Sequence, residues 1–132
     1  MGFLSKKEIL AAKNLKTETV EVPELGGQVM IREMTAADRD SWEFEQLKKN
    51  GKSYSVNFEN LRAKLIVRCV VDSETKLRMF SDSDAELLGN CSAASLDKLY
   101  EACQKLNKLS KDDVDDLVKN SVDLQPDNSV SG

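Results

Sequence analysis

The sequence contains no histidine and few aromatic residues. Its 132 residues include one Trp, two Tyr and four Phe. Without an imidazole, Ser-His-Asp triads, Cys-His dyads and H-E-x-x-H zinc sites are all excluded. Because aromatic side chains are scarce, we expect the hydrophobic core to be built mainly from Leu, Val, Ile, Ala and Met.

Cysteine is also sparse, and its spacing predicts neither a disulfide framework nor a metal site. The three cysteines, Cys69, Cys91 and Cys103, are odd in number and form no C-x-x-C pair. A structural zinc site would need further thiolate or imidazole ligands at short spacings. We therefore interpret the cysteines as reduced and mostly buried side chains, and we expect no metal or other cofactor.

Long apolar runs are missing as well. The longest apolar cluster, LIVRCVV, is interrupted by Arg68 and is far too short to span a membrane. The N-terminal stretch MGFLSKKEILAAK lacks the apolar run and cleavage site of a signal peptide. The formal net charge is −4. Since anionic lipid and nucleic acid both bind to basic surfaces, we expect no membrane and no nucleic-acid partner.

The remaining composition suits one compact domain. Hydrophobic residues make up 40% and charged residues 32%, which favours a modest apolar core beneath a well-solvated surface. We predict a single domain over residues 1–120. Residues 121–132 are polar, contain Pro126 and show no periodicity, so we expect a disordered tail there.

Residues 17–33 predict a β-hairpin. Val20 and Val22 fall on one face of the first strand, and Val29 and Ile31 fall on one face of the second. The intervening PELGG is typical of a turn, because proline ends strand pairing and glycine adopts positive φ easily. A lone hairpin is marginal in water, so its apolar face should pack on helices.

Ser/Thr-x-x-Glu/Asp patterns mark four helix starts, at Ser5, Thr35, Ser81 and Ser110. In such a pattern the hydroxyl oxygen accepts a hydrogen bond from a free first-turn N–H group. Gly89 is expected to end one helix in the left-handed conformation. With the apolar periodicity, these signals predict helices over residues 6–13, 36–48, 57–71, 82–88, 92–109 and 111–119. The expected fold class is α+β and mostly α-helical, an N-terminal β-hairpin packed on a bundle of about four to six helices.

Acidic clusters are the remaining candidates for chemistry. DSETK and SDSDAE alternate carboxylates, but neither continues into a calcium-binding loop with its glycine and distal Glu. The run DDVDD, residues 112–116, is either a docking face for a basic partner or a set of anions at a helix N-terminus. Because no spacing selects a carboxylate pair for acid–base catalysis, we predict that the protein is not an enzyme.

The order of three motifs points to a known family. The short ILAA helix comes first, followed by the VEVPELGG hairpin and the MTAADRD helix start. The segments NLRAKLIVRCVVD and SAASLDKLYEACQKLNKL follow later in the chain. This order resembles the tail assembly chaperones of long-tailed (siphovirus-type) bacteriophages over nearly the whole predicted domain.

The resemblance implies a binding protein without enzymatic activity. Such chaperones bind the tape measure protein, a very long helical chain that sets tail length, and keep it soluble while the tail tube polymerises around it. The resemblance also implies action in the host cytoplasm and absence from the mature virion. It further implies a longer, frameshift-extended form that recruits the tail tube protein, and it is compatible with self-association. The alternative is a small structural tail or connector protein retained in the virion.

Three apolar residues are predicted to contact the partner. Leu25 stands at the tip of the hairpin, while Trp42 and Phe44 lie on the helix with the least regular apolar stripe. For Trp42 and Phe44 the competing interpretation is core packing. Leu25 could instead fold back onto the domain.

Overall fold

The computed structural model describes residues 2–12 and 14–109, which form an α+β fold. In chain order its elements are α1 (Lys6–Ala11), β1 (Thr17–Val22), β2 (Gly27–Arg32), α2 (Ala36–Glu45), β3 (Leu47–Asn50), β4 (Ser53–Val56), α3 (Leu61–Cys69), β5 (Val70–Val71), α4 (Ala85–Leu88) and α5 (Ala93–Leu106). The predicted fold class, a β-hairpin packed on helices, is confirmed. The helix predicted over 111–119 and the tail predicted over 121–132 lie outside the described residues.

The N-terminal hairpin consists of β1 and β2, paired antiparallel from Thr17 opposite Arg32 to Val22 opposite Gly27. Its turn, Pro23–Leu25, is a single turn of 3-10 helix. Gly26 follows at φ +81°, a left-handed conformation that glycine adopts without a steric penalty. The short strand β5 pairs with the other edge of β2, which gives the strand order β1-β2-β5.

The main hydrophobic core lies between this sheet and the helices. Residues 63–69 of α3 are all buried, because α2, α4 and α5 each contact this helix. Helix α5 also packs against β1 and β2. The buried members of the core are Val20, Val22, Ile31, Met34, Trp42, Leu65, Ile66, Cys69, Val70, Leu96, Leu99, Cys103 and Leu109.

Helix α3 is shorter than the predicted 57–71 at both ends. The Asn57 side-chain oxygen accepts a hydrogen bond from the Glu59 N–H at 3.0 Å, and Asn60 adopts φ +54°, so a turn precedes the helix. At the other end, Val70 and Val71 pair with β2 instead of extending the helix. Both residues are β-branched and favour strands, so they pair with the edge of β2 that lies beside them. The sequence pattern does not show that this edge is close to them.

A second hairpin, β3–β4, was not predicted. The helix predicted over 36–48 ends at Glu45, and β3 then pairs with β4 around the two-residue loop Gly51–Lys52. Gly51 supplies the positive φ, +65°, that such a loop requires. The segment LKKNGKSYSV lacks apolar alternation, so its pairing cannot be inferred from periodicity.

The helix starts follow the predicted capping patterns. The Ser5 side chain accepts from the Glu8 N–H at 3.1 Å, and Glu8 accepts from the Ser5 N–H at 3.2 Å. The Thr35 hydroxyl likewise accepts from the Asp38 N–H at 3.1 Å. Ser110 lies outside the described residues.

Three further helix predictions differ from the structure in detail. Helix α1 ends two residues before the predicted limit of 13, and α5 spans Ala93–Leu106 where 92–109 was predicted. Residues 82–88 divide into a 3-10 turn, Asp82–Asp84, followed by α4.

Gly89 ends α4 at φ −63°, so the expected left-handed terminator is wrong. A side chain at position 89 would instead collide with Asn60, whose Oδ1 lies 2.2 Å from an ideal Cβ position.

Candidate functional site

An apolar groove of about 350 Å³ lies at the tip of the N-terminal hairpin. It opens between the β1–β2 turn, strand β5 and the N-terminal half of α5. Its floor is formed by core residues that the helices and β5 contribute, namely Ile66, Val70, Leu96 and Leu99. A side chain that entered this groove would therefore contact the hydrophobic core directly.

Two exposed apolar side chains stand at the edge of the groove. Leu25 is 51% exposed and Met79 is 56% exposed, and both line the opening. Leu25 is carried by the 3-10 turn that closes the hairpin. Met79 is positioned by a backbone hydrogen bond from its N–H to the Val70 carbonyl at 3.1 Å. An exposed apolar rim above an apolar floor is the usual form of a protein-binding groove.

A carboxylate also belongs to the groove wall. Asp72 Oδ1 accepts hydrogen bonds from the N–H groups of Thr75 and Glu74, each at 2.9 Å. These bonds hold the pKa of Asp72 below its usual value, so the side chain is ionised at neutral pH. The groove is therefore apolar inside and carries a negative charge at its wall.

A buried arginine ties α2 and α3 to the turn before α4. Arg68 is fully buried, and its guanidinium pairs with the carboxylates of Glu45 and Asp82. Arg68 also donates to the Ser41 hydroxyl at 3.0 Å. Burial lowers the pKa of Arg68, while the charge of Asp82 acts in the opposite direction. This cluster joins separate elements through charge-assisted hydrogen bonds, and we interpret it as structural.

Arg78 extends this cluster and holds the segment that leads to Met79. Its Nη2 donates to Asp82 at 2.6 Å and to the Val67 carbonyl at 3.0 Å. Arg78 also bridges to Val71 through the backbone, at the outer edge of β5. Burial would raise the pKa of Asp82, but the hydrogen bond from Arg78 and the charges of Arg68 and Arg78 outweigh it and lower that pKa. The groove rim at Met79 is thus anchored to the helices.

The part of the chain that the structure describes offers no metal site. Within residues 2–12 and 14–109, no group of three or more His, Cys, Asp or Glu side chains could hold a metal ion. Cys69 and Cys103 are buried, whereas Cys91 is exposed and lines the groove. None of the helices in the described ranges is long and apolar enough to cross a membrane.

The three predicted contact residues lie in different environments. Leu25 is at the groove rim. Phe44 is 72% exposed on α2, away from the groove, and Trp42 is 1% exposed within the core. A partner could reach Trp42 only if α2 moved. Sequence reasoning missed Met79 because the surrounding segment, TKLRMFSDS, has no periodicity.

A second set of exposed apolar residues accompanies α1. No residue of this helix is buried. The large exposed side chains here are Phe3, Leu4, Ile9 and Leu10. Their exposure adds apolar surface outside the groove.

The comparisons with known proteins agree with this architecture. The family model described as phage tail assembly chaperone matches residues 5–120. The solved structure of the bacteriophage HK97 tail assembly chaperone has a similar fold, with a TM-score of 0.51 and 21% sequence identity. That similarity covers 80% of this chain and 92% of the HK97 chain. No curated protein matches the chain. Since the family model spans most of its length, the chain belongs to the phage tail assembly chaperone family.

Proposed function

We propose that this protein binds the tape measure protein of its phage and keeps it soluble while the tail tube polymerises around it. It does so without catalysis, in the host cytoplasm, and it is absent from the mature virion. The observation that carries this proposal is the apolar groove at the hairpin tip, together with membership of the tail assembly chaperone family.

The groove supports the proposal because its apolar lining suits the tape measure protein, which is the proposed cargo. A long helical protein with bare apolar stripes aggregates unless those stripes are covered. A groove with an apolar floor can accept the apolar face of such a helix, one or two side chains at a time. Several copies bound along one cargo chain would gain strength through multivalency, even if each contact is weak.

Leu25, Phe44 and Trp42 are the proposed partner-binding residues. Leu25 and Phe44 present accessible apolar surface, at the groove rim and on α2 respectively. Trp42 is buried, so its proposed role is indirect: it fixes the position of α2. Met79 joins them as a rim residue.

A further part of the proposal concerns the tail tube protein. We propose that a longer form of the protein, extended by a translational frameshift, recruits tube subunits to the loaded tape measure protein. Self-association would then place many copies along one cargo chain. The first idea is tested by detecting the extended product and measuring its binding to the tube protein, and self-association is tested by measuring the oligomeric state of the purified protein.

The central experiment is co-expression with the tape measure gene of the same phage. We expect the tape measure protein to be soluble with the wild-type chain and insoluble without it. The variant Leu25→Asp should lose most of this effect, because a carboxylate at the rim disfavours apolar contact. Leu87→Asp is the matched control, since Leu87 is also an exposed apolar side chain but does not line the groove. Equal insolubility with and without the wild-type chain would refute the proposal.

Cys91 provides a second readout that does not depend on solubility. It is an exposed thiol at the groove, whereas Cys69 and Cys103 are buried. A bound tape measure segment should slow the labelling of Cys91 by a thiol reagent.

The alternative, a structural tail protein, predicts stoichiometric presence in purified virions, which mass spectrometry would detect.

A further inference from the structure

The β3–β4 hairpin is a basic element on an acidic chain. It carries Lys48, Lys49 and Lys52, and no Asp or Glu occurs between Glu45 and Glu59. The whole chain, by contrast, has a net charge of −4. The described side chains of this hairpin do not line the apolar groove, so the charges of Lys49 and Lys52 are available to a different contact.

Strand β3 has an open edge in the described part of the chain. Its sheet contains two strands, so β3 pairs with β4 on one side. The two-residue loop makes Asn50 and Ser53 the hydrogen-bonded closing pair, and the pairs alternate from there. Lys49 and Leu47 therefore direct their backbone N–H and C=O groups away from β4. Within residues 2–12 and 14–109, no other backbone group pairs with them, so they can pair with an added strand.

The tip of this hairpin is held in shape and exposed. The Asn50 side chain donates to the Ser55 hydroxyl at 2.8 Å, and the Ser53 hydroxyl donates to the Asn50 carbonyl at 3.1 Å. Lys49 and Lys52 are both exposed beside this bonded tip. A partner would thus meet a preformed edge, which lowers the entropic cost of binding.

We propose that the β3 edge binds an extended acidic segment of a partner protein, which adds to the hairpin as a third strand. The backbone of that segment pairs with Leu47 and Lys49, and its carboxylates lie beside Lys49 and Lys52. Strand addition supplies affinity through main-chain hydrogen bonds, and the charges select an acidic sequence. This contact goes beyond the proposed function, because it uses a different surface and a polar partner.

Three other occupants fit the edge less well. The β1 strand of a second copy lies beside Lys98 and Lys105 of its own α5, and these lysines partly neutralise its glutamates and weaken its attraction to the β3 edge. The chain's own run DDVDD is rich in Asp, which is disfavoured in strands. A nucleic acid would be repelled by the net negative charge of the chain, and three lysines are few for phosphate binding.

The test uses the full chain and a fluorescent peptide of alternating Glu and Thr, followed by anisotropy. We expect saturable binding that Lys49→Glu/Lys52→Glu weakens by about tenfold, because both carboxylate contacts become repulsive. The matched control, Lys98→Glu/Lys105→Glu, changes the net charge equally on α5 and should change affinity by about twofold or less. A peptide with the same charges but N-methylated backbone amides should not bind.

Each of the following results would overturn the proposal that the β3 edge binds an acidic strand. Equal loss in both double variants, or equal binding of the N-methylated peptide, would show charge attraction without strand pairing. Tighter binding of an oligothymidylate than of the peptide would identify a nucleic-acid site. Stronger peptide binding after Asp112→Asn/Asp113→Asn/Asp115→Asn/Asp116→Asn would show that the chain's own acidic run occupies the edge. Leu25→Asp should leave peptide affinity unchanged, which separates this inference from the tape measure proposal.

Discussion

The side chain of Asn107 accepts a hydrogen bond from the backbone N–H of Met34, with its Oδ1 2.8 Å from that nitrogen. The same amide donates to the Cys103 carbonyl at 2.8 Å and to the Cys69 sulfur at 3.4 Å. Asn107 is buried at the end of α5. One side chain thus joins α5, α3 and the segment that leads from β2 into α2.

Asn107→Leu should destabilise the fold. The Met34 N–H would lose its buried acceptor, and an unsatisfied buried group costs about 1–3 kcal/mol. The measurement is the free energy of unfolding in urea. Asn90→Leu, at an exposed position, is the control and should differ little from wild type. Equal stability of Asn107→Leu and wild type would show that water or another group replaces the amide.

Gly89→Ala should also destabilise the fold, because the added Cβ would lie 2.2 Å from Asn60 Oδ1. Asn60 Oδ1 is the end of a flexible side chain that can rotate away, so we expect a loss of about 0.5–1.5 kcal/mol, the usual cost of a displaced rotamer. The double variant Asn60→Gly/Gly89→Ala should recover most of the loss, since it removes the colliding side chain and suits the positive φ at position 60. Gly27→Ala, where a Cβ meets nothing within 4 Å, is the control. Additive effects of the two substitutions in a thermal-unfolding cycle would contradict this explanation.

The stability of the fold should depend on Asp82 at acid pH. Its folded-state pKa lies below the ordinary value of 3.8, through Arg78 and Arg68. The carboxylate therefore contributes stability above the unfolded-state pKa, and this contribution is lost as pH falls through the folded-state pKa. We expect Asp82→Asn to be less stable than wild type at neutral pH, and the difference to shrink as the pH falls below 3.8 and through the lower folded-state pKa. Urea unfolding across this pH range is the measurement, and Asp40→Asn controls for loss of a surface charge.

A constant difference between Asp82→Asn and wild type at every pH would contradict this prediction. Such a result would mean that Asp82 contributes through packing or neutral hydrogen bonds. The side chain is about half exposed, so screening by solvent and salt should reduce the effect, and added salt should shrink it further.

Local signals in the sequence predicted much of the fold. The alternation around Val20 and Ile31 specified the N-terminal hairpin, because a one-residue slip would turn both side chains to solvent. The Ser5 and Thr35 patterns predicted helix starts, because a cap depends on neighbouring residues only. The motif order over residues 5–120 also indicated the family that the comparisons support.

The candidate site was predicted less completely. Leu25 was identified from its place at the hairpin tip, and the structure places it at the groove rim. Met79 was missed, since its position depends on Arg78 and on the pairing with β5. The exposure of Phe44 beside the buried Trp42 also depends on how α2 is oriented against α3.

The sequence by itself determined the elements whose causes are local, namely the β1–β2 hairpin and the capped helix starts. Its composition, which lacks histidine, also excluded every histidine-based catalytic or zinc site. Only the tertiary structure decided where α3 ends, that residues 47–56 form a second hairpin, and that a groove opens at Leu25 and Met79. The physical reason is that these features depend on pairing and packing between segments distant in sequence. Strand β5 forms because β2 offers an edge, and the groove exists because the hairpin tip and α5 leave space between them.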